Sequence, residues 1–596
     1  MNILLTAINA KYIHSNLAVY SLRACAGEYR DAVELAEYTI NNQKDYILEE
    51  LYKRKPDVLC FSCYIWNIDY VTDIAREYKK LCPSVPIWVG GPEVSYEVEA
   101  FLRENPYIDG VMIGEGEDTF RELCGYYAHK KSLIDIAGIV FRKKSADGKA
   151  GEIVFTSPRP IKNMSEIPFC YDTLDDFSNR IIYYESSRGC PFSCSYCLSS
   201  VDKTLRFRDT EIVKRELKFF IDQKVPQIKF VDRTFNCNHA HAMELWRFIK
   251  ANDNGVTNFH FEISADLLNQ EELKLISDMR PGLIQLEIGV QSTNEVTIKE
   301  IHRTMKLERL KEVVKLIQSG NNIHEHLDLI AGLPYEDYDS FGRSFDEIYE
   351  LKPNQLQLGF LKVLKGSYMF EHAAEYGIVY HDKPPYEVMS TKWLSFDDVI
   401  KIKRVEDMLE VYYNSGQFEI TMKLMECIFD SAFEFFQELG DFYEAKGYFG
   451  MSHSRIRRCE ILLEFLALYL HGCDSGAMTS VGLSENHGDR DNTDFDENAQ
   501  IYSMIQESLI FDLYYRENCK SRPVWATDIG SFKHMTHAYC KNGKLSHVEP
   551  FHYIFPDKHT RKLDELPKYH KEPVWALFHY DMRDPLDHQA LVEYIE

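Results

Sequence analysis

Residues 188–197 read Arg188-Gly-Cys-Pro-Phe-Ser-Cys-Ser-Tyr-Cys197. The three cysteines have the spacing CxxxCxxC, and Gly189 and Pro191 favour a tight loop around them. Thiolates are the usual protein ligands of iron–sulfur clusters, and three of them can bind three irons of a cubane and leave the fourth iron open. A structural zinc site needs a fourth ligand, yet the next 35 residues contain neither histidine nor cysteine. The spacing therefore favours a 4Fe-4S cluster over a zinc site or three ordinary core cysteines.

The composition limits the class of protein. A chain of 596 residues with 45% hydrophobic residues predicts about three or four globular domains. The net charge of -25 disfavours nucleic acid as the main partner, because it would repel a phosphate backbone. Fifteen scattered cysteines indicate a reducing compartment. The sequence shows no run of 18 apolar residues and no basic, cleavable leader, so we expect a cytoplasmic protein that does not span a membrane.

The first 125 residues alternate short apolar runs with amphipathic stretches, which predicts a doubly wound parallel sheet. Such a sheet binds ligands at the carboxyl ends of its strands. Glycines at two of these ends would let the backbone approach a bulky ligand, and the helices that follow favour phosphate. An alternative is that the glycines only close the turns. The strand ends are residues Asn9 to Asn16, Ser62 to Trp66, Gly90 to Glu93 and Gly114 to Glu117.

A second alternating series begins near residue 181, and the cysteine loop follows its first strand. Six strands with five intervening helices predict an incomplete (β/α)6 barrel, whose active face is also the carboxyl ends of the strands. Later residues are mostly helical and end in a strand-rich segment. The predicted class is α/β, with domains at residues 1–135, 181–375 and 376–596 and a connector at 136–180.

Polar side chains occupy positions at the predicted barrel mouth where apolar ones would be easier to bury. Alternation in the fourth strand points Gln285, Glu287 and Gly289 to one face and the apolar residues between them to the other. A ligand with amine, carboxylate and hydroxyl groups would give such side chains partners, although a satisfied ion pair would serve as well. The other polar groups are Asp232, Arg233, Asn236, Glu262, Ser264 and Asp266.

Two features of the C-terminal domain need separate mention. Residues 484–498 are polar and predict a mobile loop before a helix near Ile501 to Tyr515. The strand-rich end carries four histidines without the spacing of a metal site, so ordinary surface and core roles are favoured. They are His537, His547, His552 and His559.

Residues 181 to about 365 resemble the radical S-adenosylmethionine (radical SAM) superfamily, whose hallmark is a CxxxCxxC loop with an aromatic residue before the third cysteine. The turns at Gly90-Gly-Pro-Glu-Val94 and Gly114-Glu-Gly-Glu117 resemble those of the Rossmann-like cobalamin-binding domain that precedes this barrel in one large class. Three sequence segments resemble those of a bacterial subgroup with its own C-terminal domain of unknown function. They are Asn9 to His14, Phe230 to Asn238 and Glu287 to Ser292.

The resemblance implies a 4Fe-4S cluster bound by Cys190, Cys194 and Cys197, with S-adenosylmethionine on the free iron. One electron, from a donor such as flavodoxin or ferredoxin, would cleave S-adenosylmethionine to methionine and a 5'-deoxyadenosyl radical. The implied residues around S-adenosylmethionine are Tyr196, Asp232, Arg233, Glu262, Ser264, Glu287, Gln291 and Ser292.

Cobalamin is the third implied cofactor, held between the two domains. The Asp-x-His-x-x-Gly signature that places a histidine on cobalt is absent, so Tyr64 or Trp66 is expected to cover the lower face. Cys60 and Cys63 form a CxxC at a buried strand end, where packing is favoured. The implied residues around cobalamin are Asn9, Tyr12, Ser15, Asn16, Ser62, Tyr64, Trp66, Gly90, Gly91, Pro92, Glu93, Gly114, Glu115 and Gly116.

The function predicted from these features is a cobalamin-dependent radical SAM enzyme that transfers a methyl group to an unactivated carbon. A small-molecule substrate is favoured over nucleic acid because of the acidic charge. One alternative is a radical SAM methylthiotransferase, but the N-terminal cysteines are not in the arrangement of a second cluster. Another alternative is a non-catalytic corrinoid or redox sensor with a fully ligated cluster.

Overall fold

The computed structural model describes residues 1–143, 151–471, 492–540, 545–556, 560–563 and 565–595. The chain forms two compact units. The first contains Met1–Ile323, Gly332–Glu336 and Gly359–Ser395, and the second contains His324–Ala331, Asp337–Leu358 and Phe396–Glu596. The first unit holds the cysteine loop and all the cofactor residues predicted from the sequence.

The N-terminal part of the first unit is a seven-stranded sheet with the order β2-β1-β3-β4-β5-β6-β7. The first five strands in this order are parallel, whereas β6 and β7 are antiparallel to their neighbours. The predicted doubly wound sheet is therefore present. Its elements are β1 (Ile3–Asn9), α1 (Leu17–Cys25), β2 (Val33–Thr39), α2 (Lys44–Arg54), β3 (Val58–Ser62), α3 (Ile68–Leu81), β4 (Ile87–Gly90), α4 (Val98–Glu104), β5 (Gly110–Met112), α5 (Gly116–Tyr127), β6 (Ile139–Arg142) and β7 (Ile153–Phe155).

Both faces of this sheet are buried, as a parallel sheet covered by helices requires. Alternate residues of β1 enter opposite cores: Leu4 and Ile8 pack on one side and Ile3 and Leu5 on the other. Every residue of β1 is buried, which explains why its sequence is apolar except at Thr6 and Asn9.

Two parts of this sheet differ from the sequence prediction. Strand β2 was missed, because it lies at the edge of the sheet and its partly buried positions carry Glu34 and Glu37, which interrupt the apolar run. The sheet also continues past residue 135, since β6 and β7 lie in the stretch predicted to be a connector. Residues 144–150, which include Asp147-Gly148 where the sequence predicts a hairpin, lie outside the described residues.

The barrel strands form where the alternation predicted them. In the first unit β8, β11, β12 and β13 are adjacent and parallel. Strand β13 alternates buried and partly buried residues along its length, as predicted. The elements are β8 (Ile182–Tyr184), β9 (Ser187–Arg188), β10 (Arg206–Phe207), α6 (Thr210–Asp222), β11 (Gln227–Phe230), α7 (His239–Ala251), β12 (Asn258–Ile263), α8 (Gln270–Ser277), β13 (Ile284–Gln291), α9 (Glu295–Glu300), α10 (Leu307–Ser319), β14 (His324–Ala331), α11 (Tyr338–Tyr349) and β15 (Gln355–Phe360).

After β15, the first unit ends with a short helix and a hairpin. The second unit continues from Phe396 and is mostly helical. A three-stranded antiparallel sheet closes the second unit, with the order β18-β19-β20. The elements are α12 (Tyr368–Glu371), β16 (Val379–Tyr380), β17 (Val388–Ser390), α13 (Phe396–Leu409), α14 (Glu419–Ile428), α15 (Ala432–Lys446), α16 (Arg455–His471), α17 (Asn492–Arg516), α18 (Lys533–Tyr539), β18 (Ser546–Tyr553), β19 (Tyr569–Arg583) and β20 (Ala590–Ile595).

Aromatic rings fill the core of the second unit. Phe345 of α11 packs against Phe433 of α15 with ring centroids 5.5 Å apart. Phe511 of α17 packs against Phe578 of β19 at 5.1 Å. The helices α13 to α18 and the sheet of β18 to β20 confirm the prediction of a mostly helical domain with a strand-rich end.

One C-terminal prediction needs correction. Helix α17 starts at Asn492 and not near Ile501, so residues 492–498 of the predicted mobile loop are helical. Residues 484–491 of that loop lie outside the described part of the chain. No helix among the described residues has the length and apolar character needed to cross a bilayer.

Candidate cofactor sites

The cysteine loop is closed at its base by a short antiparallel ribbon. Strand β9 pairs with β10, so that Arg188 lies opposite Arg206 and Ser187 opposite Phe207. Gly189 has a φ of +91°, and a Cβ there would lie 2.5 Å from the carbonyl oxygen of Thr204. Only glycine fits this position, because both the backbone angle and the space exclude a side chain. The ribbon thus returns the chain to the barrel after the cysteines.

The three thiols have protein neighbours that suit a bound cluster. Cys190 and Cys194 are buried and Cys197 is partly exposed. The Cys190 Sγ lies 3.9 Å from the Thr234 hydroxyl, and the Arg303 guanidinium donates to the Cys194 Sγ at 3.8 Å. Burial raises the pKa of the Cys190 thiol, so a metal ion would be needed to stabilise its thiolate.

The same loop does not have the geometry of a mononuclear metal site. In the described ranges, no three or more His, Cys, Asp and Glu side chains converge where a single ion could be bound. A cubane distributes its three thiolates over three irons, and the unpaired thiols of the loop fit that group.

Arg303 and Gln291 lie beside the loop, and each has a buried polar atom without a hydrogen-bond partner among the described residues. Arg303 donates to the hydroxyl of Tyr196 at 3.2 Å and also to the carbonyl oxygen of Gly289. Its Nε and the Oε1 of Gln291 are buried and have no hydrogen-bond partner among the described residues. A Cβ on Gly289 would lie 2.3 Å from the Gln291 amide nitrogen. Buried groups of this kind are normally satisfied, so this is where the structure fits a polar ligand next to the cluster.

Arg303 was missed by sequence reasoning. It lies between α9 and α10, outside any strand end, and its surroundings in the sequence are polar. No local pattern distinguishes it from a surface arginine.

Asp232 is hydrogen-bonded within the protein. Its carboxylate is fully buried and accepts hydrogen bonds from the Ser186 amide at 2.9 Å and from the hydroxyls of Ser186 and Ser187 at 2.6 Å each. Burial raises the pKa of Asp232 to about 6, although these hydrogen bonds lower it. The carboxylate therefore fixes the turn after β8 and leaves little capacity for S-adenosylmethionine.

Glu287 is also satisfied by the protein. Its Oε2 lies 2.9 Å from Lys229 Nζ and 2.9 Å from His260 Nε2. Burial would raise the pKa of Glu287, but the hydrogen bond from His260 and the charge of Lys229 lower it to about 2. This is the ion pair that the sequence analysis kept as the alternative to a ligand contact.

The remaining residues predicted near S-adenosylmethionine lie at the same barrel mouth. Ser264 donates to Asp266 at 2.8 Å, and Ser292 donates to Glu336 at 2.6 Å. Glu262 lies opposite Glu287 in the register of β12 and β13. Of the residues predicted near S-adenosylmethionine, Tyr196 accepts from Arg303 and Gln291 carries one of the unpaired atoms. Arg233 instead lines a separate cavity.

That space is a cavity of about 520 Å³ at the carboxyl ends of the N-terminal strands. Its lining combines the N-terminal sheet, the connector and the start of the barrel. The predicted cobalamin residues that line it are Ser62, Tyr64, Gly90, Gly91, Pro92, Gly114, Glu115 and Gly116.

Two glycines shape this cavity in different ways. Gly91 has a φ of +121°, and a Cβ there would lie 2.4 Å from the Cys63 carbonyl oxygen. Gly114 has a φ of +73°, with open space where its Cβ would be. The first glycine therefore allows close packing within the fold, while the second leaves room for a ligand.

The other predicted cobalamin residues do not line the cavity. Asn9 donates to Glu37 at 2.9 Å, Asn16 caps α1, and Ser15 donates to the Ile181 carbonyl at 2.8 Å. These short polar side chains are thus hydrogen-bonded to nearby backbone or side-chain groups.

Three further residues predicted near cobalamin also have contacts within the protein. Trp66 stacks on Tyr64 with ring centroids 4.5 Å apart and donates to the Ile8 carbonyl, so only Tyr64 reaches the lining. Glu93 accepts a hydrogen bond from Tyr386. Tyr12 is exposed, with the Arg180 guanidinium over its ring.

Much of the lining was not predicted. The unpredicted part includes one face of α1 and the connector. An apolar side chain that lines a cavity looks the same in the sequence as one that packs in a core. The cavity residues that sequence reasoning missed include Leu17, Ser21, Leu22, Met112, Met164, Ile167, Pro168, Phe169, Tyr171 and Arg188.

Arg188 connects this cavity to the cysteine loop. Its guanidinium binds both carboxylate oxygens of Glu185, at 2.9 and 2.7 Å, and donates to Glu117 at 2.8 Å. It also lies 3.3 Å from Glu115, which in turn accepts from Arg206. Two arginines of the cluster ribbon are therefore bound by acids that follow β5.

Family models match three parts of the chain. Residues 3–124 match the B12 binding domain, residues 184–348 the radical SAM superfamily, and residues 374–589 a domain of unknown function, DUF4080. The chain carries a B12-binding domain followed by a radical SAM domain. The first of these contributes the glycine turns of the cavity, and the second contributes the cysteine loop.

Curated relatives match the same region. The chain is 28% identical over 346 residues to the cobalamin-dependent radical SAM methyltransferase TokK of Streptomyces tokunonensis, which covers 55% of this chain and 49% of that protein. It is 27% identical over 314 residues to 2-(S-pantetheinyl)-carbapenam-3-carboxylate methyltransferase of Streptantibioticus cattleyicolor, covering 50% and 45%. The chain thus spans about half the length of these relatives.

A solved structure shares the fold. The cobalamin-dependent S-adenosylmethionine radical enzyme OxsB, with aqua-cobalamin and S-adenosylmethionine bound, has a TM-score of 0.56 over 86% of this chain and 80% of that chain, at 16% identity. The predicted order of a Rossmann-like B12-binding domain and a radical SAM barrel is confirmed.

The C-terminal histidines have individual partners in the second unit. His547 lies 2.6 Å from Glu549 and stacks on Tyr514, and His552 lies 2.8 Å from Glu507. His559 lies outside the described residues.

Proposed function

We propose that the protein is a cobalamin-dependent radical SAM methyltransferase that acts on a small molecule. The observation that carries this proposal is the cavity at the glycine turns of the B12-binding domain, whose lining continues through Arg188 and Arg233 to the cluster ribbon. A cobalamin in the cavity would therefore lie beside the ribbon that closes the base of the cysteine loop. The name of one relative, 2-(S-pantetheinyl)-carbapenam-3-carboxylate methyltransferase, gives a small molecule as the methyl acceptor and supports this proposal.

Each group has residues in the chain that fit it. Cys190, Cys194 and Cys197 would bind three irons of the 4Fe-4S cluster. Arg303 and Gln291 would complete their hydrogen bonds with S-adenosylmethionine, and Tyr196 would lie against it. The cavity residues from Ser62 to Gly116 would hold cobalamin, with Tyr64 on its face.

The bound groups supply the hard chemistry, namely one-electron cleavage of S-adenosylmethionine and delivery of a methyl group. The protein residues position these groups and exclude water. Arg303 fixes Tyr196 and Gly289 in one hydrogen-bonded set, so the wall beside the cluster is formed before any ligand arrives. The pairing of Arg188 with three carboxylates holds the cluster ribbon against the B12-binding domain.

The methylthiotransferase alternative receives no support from the described cysteines. Cys60 and Cys63 are fully buried and enter the hydrophobic cores on opposite faces of the sheet. Burial raises the pKa of both thiols. They pack as core residues, in agreement with the role that the sequence analysis favoured.

The proposal is tested with protein reconstituted anaerobically with iron, sulfide and cobalamin. After addition of dithionite and S-adenosylmethionine, we expect 5'-deoxyadenosine to form and cobalamin to remain bound through gel filtration. Cys194→Ala should abolish 5'-deoxyadenosine, whereas Cys427→Ala, at an exposed thiol of the second unit, should not. Protein with a full cluster that forms no 5'-deoxyadenosine would contradict the proposal.

The substrate is sought separately by product analysis. Small-molecule extracts of cells with and without the protein are incubated with methyl-deuterated S-adenosylmethionine and the holoenzyme. A metabolite that gains the label only with active enzyme identifies the methyl acceptor. Flavodoxin or ferredoxin is the expected electron donor and can replace dithionite in the same assay.

A further inference from the structure

Arg233 is an arginine on the cavity lining that has no counter-charge. It follows β11 by three residues, its side chain is exposed, and it shares the lining with Tyr64. Among the described residues, no carboxylate lies within ion-pair distance of its guanidinium, and no hydrogen bond leaves it. The hydroxyl of Tyr64 likewise has no hydrogen-bond partner in the described part of the chain.

The other charges of the lining are paired. Arg188 binds Glu185 and Glu117, and Arg208 binds both oxygens of Glu216. Glu115 accepts from Arg206 at 2.5 Å. Among the described residues, the guanidinium of Arg233 is thus the charged group on this lining that has no ion-pair partner.

The backbone around Arg233 is fixed on both sides. Asp232 is anchored by the three hydrogen bonds from Ser186 and Ser187. Thr234 donates to the carbonyl of Arg233 at 2.8 Å and lies against the Cys190 Sγ. The arginine therefore extends from a rigid support between the cluster loop and the cavity, which suits a residue that must place a ligand precisely in space.

We propose that Arg233 binds an anionic group, a carboxylate or a phosphate, of the substrate in the chamber between the two cofactor sites. A guanidinium presents parallel donors that match both groups, and such charge-assisted pairs are stronger than neutral hydrogen bonds. The proposal rests on the proposed function, since it takes the cavity to be the reaction chamber. It replaces the sequence-based expectation that Arg233 contacts S-adenosylmethionine.

The test measures how fast phenylglyoxal modifies Arg233 in the cobalamin-loaded, cluster-containing enzyme, by peptide mass mapping. Inorganic phosphate and succinate serve as anion probes. At a probe concentration about four times its dissociation constant, we expect modification of Arg233 to slow about fivefold. Arg247 is the matched control, because it is also exposed and has no ion pair among the described residues. Its modification should not change.

Further arms separate the possible sources of the anion. If S-adenosylmethionine alone protects Arg233, the residue holds the carboxylate of that cofactor and the proposal is wrong. If loaded cobalamin alone protects it and Arg233→Gln loses cobalamin on gel filtration, the arginine binds the phosphodiester of cobalamin and the proposal is also wrong. Equal protection of Arg233 and Arg247, or of neither, overturns it too.

Failure of this proposal is distinguishable from failure of the proposed function. Wild-type protein that retains cobalamin and forms 5'-deoxyadenosine establishes the function first, whatever the arginine result. Arg233→Lys provides a second reading: we expect it to retain cobalamin but to show a higher KM for the labelled metabolite, once one is known, because lysine lacks the paired donors.

Discussion

Arg188 donates to Glu117 at 2.8 Å, and this hydrogen bond joins the residue two positions before the first cluster cysteine to the B12-binding domain. Glu117 lies in the first turn of α5 and is buried. The cavity lining and the cysteine loop therefore share one ion-pair network, so a change at the cavity is expected to reach the loop.

Glu117→Gln tests this coupling. It removes one of the acids around Arg188 but keeps the shape of the side chain, so we expect a loss of about 1–3 kcal/mol in the free energy of unfolding. Cluster content and cobalamin retention should both fall. Glu99→Gln is the control, because Glu99 forms only an exposed pair with Arg103. Retention of both groups by Glu117→Gln would show that the network is not shared.

Ser21→Trp tests the position of the cavity. Ser21 lies on α1 and its side chain lines the cavity, so an indole there would occupy the space proposed for cobalamin without backbone strain. We expect the dissociation constant for cobalamin to rise at least about tenfold. Glu49→Trp on an exposed face of α2 controls for the added ring. Gly91 is a poorer test, since any Cβ there meets the Cys63 carbonyl and would disturb folding itself.

Asp232 predicts a pH dependence of stability. Its pKa is raised from 3.8 to about 6 in the folded protein, so the folded state binds the proton more tightly than the unfolded state. Stability from this group is present below pH 4 and is lost as the pH rises toward 6, by about 3 kcal/mol in total.

The measurement compares the melting temperatures of cluster-free wild type and Asp232→Asn between pH 4 and 7. Asparagine does not titrate, so the melting temperature of the wild type should fall relative to that of Asp232→Asn as the pH rises. A difference that stays constant over this range would mean that Asp232 does not titrate there.

Lys229 and Glu287 form a coupled pair inside the barrel. Lys229→Met leaves Glu287 with His260 alone, and we expect it to cost about 2 kcal/mol in the free energy of unfolding. In a double-mutant cycle with Glu287→Gln, the coupling energy should be about 1–3 kcal/mol. Additive single effects would instead place both residues toward a ligand, as the sequence analysis first expected for Glu287.

Arg303→Lys tests the proposed S-adenosylmethionine site. Lysine cannot reach Tyr196, Gly289 and Cys194 together, so the KM for S-adenosylmethionine in the 5'-deoxyadenosine assay should rise about tenfold. Arg309→Lys is the control, since the contacts of Arg309 among the described residues are Glu312 and the Leu268 carbonyl. An unchanged KM with intact cluster content would remove Arg303 from the site.

The elements that the sequence predicted best are those with a strong period. The buried run of β1, the alternation of β13 and the strand before the cysteine loop all form as expected. Strand β2 was missed because an edge strand mixes charged and apolar residues. The start of α17 was misplaced because its first turns are polar and give no apolar period.

The sequence by itself determined the spacing of the three cysteines in the loop and the positions of the glycine turns, since each depends on a short segment, and the two alternating series gave the order of the two domains. The tertiary structure alone decided which polar residues are available to ligands. Glu287 is paired with Lys229 of a different strand, Asp232 is used by the turn after β8, and Arg233 has no partner among the described residues. Hydrogen bonding and charge pairing join residues from separate strands, and no local pattern records which of them will meet.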